Sequence, residues 1–305
     1  MAARAVFITG ATGKQGGSVI NALLKANANF DILALTRDTK SSSALNLAQK
    51  SPKIKLVAGN LNAIEEAFET AKAASEAPVW GVFSVQTAMG SGQNAKSEEC
   101  QGKALIDASL KHGVKRFVYS SVDRGGDKSE TNATNIPHFI SKHRIEQHLI
   151  KEAEGTDMKW TILRPVAFYE NLTPDFFGKI FTTSWAMTLR KEQKLQLIAT
   201  SDIGFLATQA FLGAEGFENK GRSIAGDELT YDEFKSIFEQ QTGQALPTTF
   251  TAVAAPINWM VKDLGYMFKW FRDVGYGANI ASIKNLNPEM KDFKAWLASE
   301  SSWKS

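Results

Sequence analysis

Short apolar runs punctuate the first half of the chain at regular intervals. Those at 4–9, 32–36, 54–58, 79–85, 116–120 and 160–163 are rich in β-branched and aromatic residues and end in glycine or polar residues, which predicts strands. Between them, 18–25, 43–50, 64–72, 96–111 and 141–152 place apolar positions at helical spacing. Runs that are apolar on both sides and alternate with helices imply a parallel sheet covered on both faces. Residues 1–165 therefore read as an α/β domain, a Rossmann-type doubly wound sheet, with no repeat at solenoid spacing.

The rhythm breaks after Arg164 and Pro165. "FYENLTPDFFGKIFTTSWAM" and "PINWMVKDLGYMFKWFRDVGYG" lack strand alternation and concentrate aromatic residues, among them Trp259, Tyr266, Phe268, Trp270 and Phe271. We read 166–305 as a smaller, mostly helical domain that binds a substrate or partner, with some later segments able to return to the first domain. Such aromatic density either fills a core or walls a pocket that closes over the reactive end of a ligand.

Composition narrows the ligand classes. The chain of 305 residues is 43% hydrophobic and 22% charged, enough to bury a real core. Its 35 basic and 32 acidic residues are interspersed and leave a net charge of +3, with no basic arm, so nucleic acid is not expected as a direct ligand. A single cysteine, Cys100, with no histidine beside it in sequence, is expected to be a buried thiol in a reducing compartment. No cationic leader precedes an apolar core, and no apolar run could span a bilayer. A soluble cytoplasmic protein, extending to the nucleus, is the expectation. His138, His143 and His148 recur every five residues, which spreads them around a helix, so no metal site is expected; nor is there a GxSxG nucleophile elbow.

The strongest chemistry lies in "VFITGATGKQGG", residues 6–17. A strand that ends in a glycine loop and opens a helix offers free N–H groups and the positive end of a helix dipole to a pyrophosphate. Gly10, Gly13 and Gly16 supply the GxxGxxG spacing, with Thr12, Lys14 and Gln15 between them. The second strand ends in "ALTRD". An acid at that tip would accept from a ribose 2′-hydroxyl, whereas Arg37 can form charged hydrogen bonds to a 2′-phosphate. Asp38, one position on, points to the other side, and Lys14 and Lys40 add positive potential. The pattern predicts NADP(H) in preference to NAD(H).

Together, "GATGKQGGSV", "TRD", "VAGNLN", "GVFSVQT", "YSSVD", "PHFISKHRIEQHL", "LRPVAFYENL" and "SDIG" resemble the NmrA-like group of atypical short-chain dehydrogenases/reductases over nearly the whole chain. The resemblance implies an NADP(H)-binding domain with a smaller C-terminal domain, in a group that holds transcriptional co-regulators, redox sensors and reductases. It places the glycine loop and Arg37 on the phosphates, Asn60 and Leu61 beside the adenine, and Gln86 and Thr87 after the fourth strand. Lys142 would face the nicotinamide ribose, with Phe168, Tyr169 and Asn171 near the nicotinamide. Asn60 stands where the group usually has an aspartate.

A short-chain reductase needs an acid to protonate a carbonyl oxygen as hydride arrives. The usual acid is a tyrosine four residues before a lysine that lowers its pKa. Four residues before Lys142 stands His138, a shorter side chain with an ordinary pKa of about 6.5. Ser120 or Ser121 could be the partner serine, and Tyr169 is a second candidate acid. Two functions follow. One is a redox sensor or regulator that binds NADP(H) and presents a surface to a regulatory protein. The other is an NADPH-dependent oxidoreductase acting on a small, hydrophobic carbonyl or enone substrate.

Overall fold

The computed structural model describes residues 4–88, 92–253 and 262–303. Its strands are β1 (Ala5–Ile8), β2 (Asp31–Thr36), β3 (Ile54–Ala58), β4 (Val79–Ser84), β5 (Arg116–Ser120), β6 (Lys159–Pro165), β7 (Ala167–Phe168), β8 (Leu195–Ile198), β9 (Lys220–Ile224) and β10 (Asp227–Leu229). The helices are α1 (Lys14–Lys25), α2 (Ser42–Ala48), α3 (Ile64–Ala74), α4 (Ala95–Lys111), α5 (Pro137–Ala153), α6 (Phe176–Thr188), α7 (Thr200–Leu212), α8 (Tyr231–Thr242), α9 (Lys262–Asp273), α10 (Ile280–Leu286) and α11 (Phe293–Ser299). Trp259, which the aromatic pattern singles out, lies outside the described residues.

Seven strands form one sheet in the order β3-β2-β1-β4-β5-β6-β9, and the pairs from β3 through β6 are parallel. Every residue of β1 is buried, as a strand covered on both faces must be. Phe7, Leu33, Leu35 and Val57 face α3, α4 and α5 in one apolar layer with Phe68, Leu105, Ile106, Ile145 and Leu149. On the other face, α1 buries Val19, Ile20 and Leu23, while the ring of Phe211 from α7 lies over Gly81 of β4, next to Val6. Strand order reverses between β1 and β4, and the carboxyl ends of strands at such a reversal are where open α/β sheets bind ligands.

The chain divides into two compact units. The first comprises Met1–Ser121, His138–Arg164 and Ile203–Arg222, and the second Val122–Pro137, Pro165–Asp202 and Ser223–Ser305. The second unit holds a three-stranded sheet in the order β10-β8-β7 and most of the later helices. Among the described residues, no helix is long and apolar enough to cross a membrane. Cys100 corrects the expectation of a buried thiol: it is exposed, because α4 turns Glu98, Gln101, Gly102 and Leu105 inward and leaves position 100 on the outer face.

Candidate functional site

The first unit gathers most of the predicted residues at the carboxyl ends of its strands. Thr9 closes β1 against β4: its hydroxyl lies 3.1 Å from the carbonyls of Phe83 and Val85 and accepts the Val85 N–H at 2.8 Å. The chain then turns at Gly10, whose φ of +58° is a left-handed conformation, with a Cβ position 2.8 Å from Val85 Cγ1. Gly16 serves close approach instead. A Cβ there would lie 2.3 Å from the carbonyl oxygen of Gly10 and 2.6 Å from that of Thr9, so only glycine lets α1 start this near the strand. At Gly13 the nearest heavy atom to a Cβ is 3.2 Å away. Gly13 is the N-cap of α1 with no side chain capping it, and the first turn contains no acid. Such an end presents open N–H groups and a positive dipole to an anion.

Beside this helix start, a cleft of about 280 Å³ runs between α1 and α2, lined among others by Thr12, Gly13, Lys14, Ser43, Asn46 and Lys50. At the β2 tip, Arg37 is exposed and has no hydrogen-bond or ion-pair partner among the described residues. Asp38 turns away into the next loop, where its carboxylate accepts the Lys40 N–H at 2.8 Å and its carbonyl the Ser41 hydroxyl at 2.9 Å. Lys40 is exposed on the same turn. Asn60 follows β3 and caps the next turn by accepting the Asn62 N–H at 2.8 Å, while half-buried Leu61 packs on the apolar layer. After β4, Gln86 is buried and donates to Ser84 Oγ at 2.9 Å; its Oε1 has no partner among the described residues, leaving an acceptor for a ligand N–H or O–H. Thr87, next to it, is exposed.

The β5 tip and α5 are tied together by buried polar contacts. Ser120 donates to Oε1 of Gln15, which links β5 to the glycine loop. Ser121 donates to Oε1 of Glu146, and Arg164 of β6 grips the same fully buried carboxylate, with Nη2 2.9 Å and Nε 3.1 Å from Oε2. One turn earlier on α5, Lys142 places its ammonium 2.8 Å from Oε1 of Glu98, a fully buried acid on α4, and Ser141 donates to Oε2 of that acid. His138 is half-buried, its ring edge-on to Phe139 at 4.8 Å. Both Glu98 and Glu146 escaped the sequence reading. The available signal was an acid lying in an otherwise inward-facing stripe of a helix; its partner in each case comes from another element.

Phe168, Tyr169 and Asn171 belong to the second unit. Tyr169 is fully buried, 5.5 Å from both Phe293 and Trp296, with its hydroxyl 3.5 Å from the Lys291 carbonyl. Burial first, and then the charges of Asp227 and Asp202, push the phenol well above its ordinary pKa. Its neighbour Glu170 accepts the N–H and hydroxyl of Thr200 at 2.8 and 2.7 Å. Asp202, of the "SDIG" stretch, accepts from Asn287 Nδ2 at 2.9 Å and from the Lys291 N–H at 3.1 Å. Phe168 and Asn171 are half-buried. Among the later aromatics, Phe268, Trp270 and Phe271 are buried, whereas Tyr266, Phe176 and Phe177 face solvent.

Comparison with known proteins gives three kinds of match. The family model described as "NmrA-like family" matches residues 3–297. The NmrA-like family domain-containing oxidoreductase hkm9 of Aspergillus hancockii is 28% identical over 79% of this chain and 73% of its own. Among solved structures, the Citrobacter triphenylmethane reductase complexed with NADP(H) has a TM-score of 0.70 at 18% identity, covering 99% of this chain and 100% of its own. NmrA, a negative transcriptional regulator solved in complex with NADP, has a TM-score of 0.68 at 16% identity, covering 99% of this chain and 98% of its own.

Proposed function

The chain belongs to the NmrA-like family, and on that footing we propose that its first unit binds NADP(H) and that the protein acts as a redox sensor or regulator without the usual catalytic tyrosine. The observation that carries the cofactor is the combination of an uncapped α1 start at Gly13 with an Arg37 at the β2 tip that has no partner among the described residues. The pyrophosphate would rest on the N–H groups of the glycine loop, near Thr12, Lys14 and Gln15, and the 2′-phosphate on Arg37, with Lys14 and Lys40 adding charge. Asn60 and Leu61 would border the adenine, and Gln86 and Thr87 the middle of the nucleotide. Lys142 would hold the nicotinamide ribose. The relatives solved with NADP(H) or NADP support the same cofactor.

When bound, NADPH supplies a hydride. Among the described residues the hydroxyl candidates are already engaged: Ser120 and Ser121 donate to Gln15 and Glu146, and Tyr169 is enclosed by aromatic rings. An acid typically contributes ~10²- to 10⁴-fold, so slow or absent carbonyl reduction is expected. Occupancy would then act by shifting a conformational equilibrium seen by a protein partner. The second reading, an NADPH-dependent oxidoreductase of small carbonyls or enones, rests on His138 standing in the tyrosine's place. Titration with NADPH, followed by a turnover screen over small aldehydes, ketones and enones, separates the two. Binding without turnover fits the sensor; rapid NADPH oxidation that disappears in His138→Ala overturns it.

A further inference from the structure

We propose that Glu98 is the positioning residue for Lys142, holding its ammonium where two of its three protons remain for the hydroxyls of a nucleotide ribose. The proposal rests on the reading that the first unit binds NADP(H) with Lys142 at the nicotinamide ribose. Three observations carry it. Glu98 is fully buried on α4, where an unpaired carboxylate would be strongly disfavoured. Its Oε1 lies 2.8 Å from Lys142 Nζ, and its Oε2 accepts the Ser141 hydroxyl, so both oxygens are engaged by adjacent residues of α5. The Lys142 side chain keeps 13% of its surface exposed against 1% for Glu98, so the pair is closed on the acid's side and open on the amine's. An unpaired lysine has four torsions to fix before it can meet a ribose. One fastened by a rigid carboxylate has largely lost that freedom already, and a ligand need not order it.

The test compares two probes. NADPH contains the nicotinamide ribose, whereas adenosine 2′,5′-bisphosphate lacks it but keeps the adenine and the 2′-phosphate. Glu98→Gln is expected to weaken NADPH roughly tenfold, the loss of one charge-assisted positioning contact, and to leave the bisphosphate unchanged. In a Lys142→Met background, Glu98→Gln should have no further effect on NADPH, because Glu98 acts only through the lysine. Equal weakening of both probes, an undiminished effect in the Lys142→Met background, or unchanged NADPH affinity in the single variant would each overturn the proposal. If Glu98→Gln does not fold, Ser141→Ala takes its place, with a loss of roughly threefold for NADPH alone. A uniform loss, or none, again overturns it. Wild-type protein that does not bind NADPH overturns the NADP(H) reading beneath this proposal; wild-type protein that binds NADPH with an affinity indifferent to Glu98→Gln overturns this proposal alone.

Discussion

In the first unit, the start of α1 and the side chain at the β2 tip are left uncapped and unpaired by the described residues; in the second, residues of equally recognisable motifs are used up within the chain. Gly13 opens α1 uncapped, and Arg37 has no partner among the described residues. Tyr169, Glu170 and Asp202, from "FYEN" and "SDIG", instead hold the segment 287–296 and the start of α7. The difference lies in what the buried environment already satisfies. A polar group whose bonds are met internally stabilises a fold, while one left open at the mouth of a sheet is available to a ligand. The α5 platform joins both patterns, since Glu146 is satisfied by Arg164 and Ser121 while Glu98 pairs with a lysine whose side chain stays partly exposed.

That contrast can be broken first at its most buried point. Arg164→Met removes the guanidinium that pairs with the buried Glu146 carboxylate and should cost about 3–5 kcal/mol in urea unfolding. Lys115→Ala, which removes the exposed pair with Asp157, should leave the urea midpoint nearly unchanged. Similar values for the two would show that the α5 platform is not a buried polar lock.

The glycine loop offers a sharper cut. Gly16→Val pushes a side chain into the Gly10 and Thr9 carbonyls and should lower stability by about 1–3 kcal/mol or more, along with losing NADPH. Gly13→Val meets nothing closer than 3.2 Å at Cβ. It should lose less stability than Gly16→Val and still lose NADPH affinity by roughly 100-fold, since its branches occupy the anion's place. Normal NADPH binding by folded Gly13→Val would remove the loop from the site.

In the second unit the expected effects are smaller. Burial raises the Asp202 carboxyl from 3.8 to about 6, against the opposing pull of Lys291 and Asn287. The folded chain then holds a proton that the unfolded chain has released between those two values. This group's contribution therefore favours folding at low pH and declines as pH rises from about 4 to 6, then stays level. Asp202→Asn should abolish that slope, read as the difference in urea midpoint between wild type and variant across the window. Smallest of all, Tyr169→Phe removes only a 3.5 Å bond to the Lys291 carbonyl and should change stability by less than about 1 kcal/mol, with NADPH affinity unaltered. A collapse of turnover in that variant would make Tyr169 an acid after all.

Much of this was legible in the sequence. The six strands of the first half and the helices between them fall within a few residues of their predicted places, because buried parallel strands and amphipathic helices carry strong periodic signals. β9 was not visible: "KGRSI" has one apolar residue and carries no strand signature, so although a return of later segments to the first unit was expected, its place at Ile203–Arg222 was not readable. The strand–glycine loop–helix turn and the place of Arg37 at the β2 tip could be read because their signals are local. Tyr169 could not, since its surroundings come from Lys291, 122 positions away. Glu98 and Lys142 stand 44 positions apart, and nothing in the spacing pairs them.

The central claim is that Arg37 makes the first unit an NADP(H) site. The direct measurement is the ratio of NADPH to NADH affinity, taken by calorimetric titration of wild-type and Arg37→Ala protein side by side. The wild type should favour NADPH, and the variant should lose roughly 10- to 150-fold of that preference, the equivalent of about 1.5–3 kcal/mol for a charged hydrogen bond to the 2′-phosphate, with NADH affinity little changed. An unaltered ratio in Arg37→Ala, or a wild type that binds NADH as tightly as NADPH, would contradict the account.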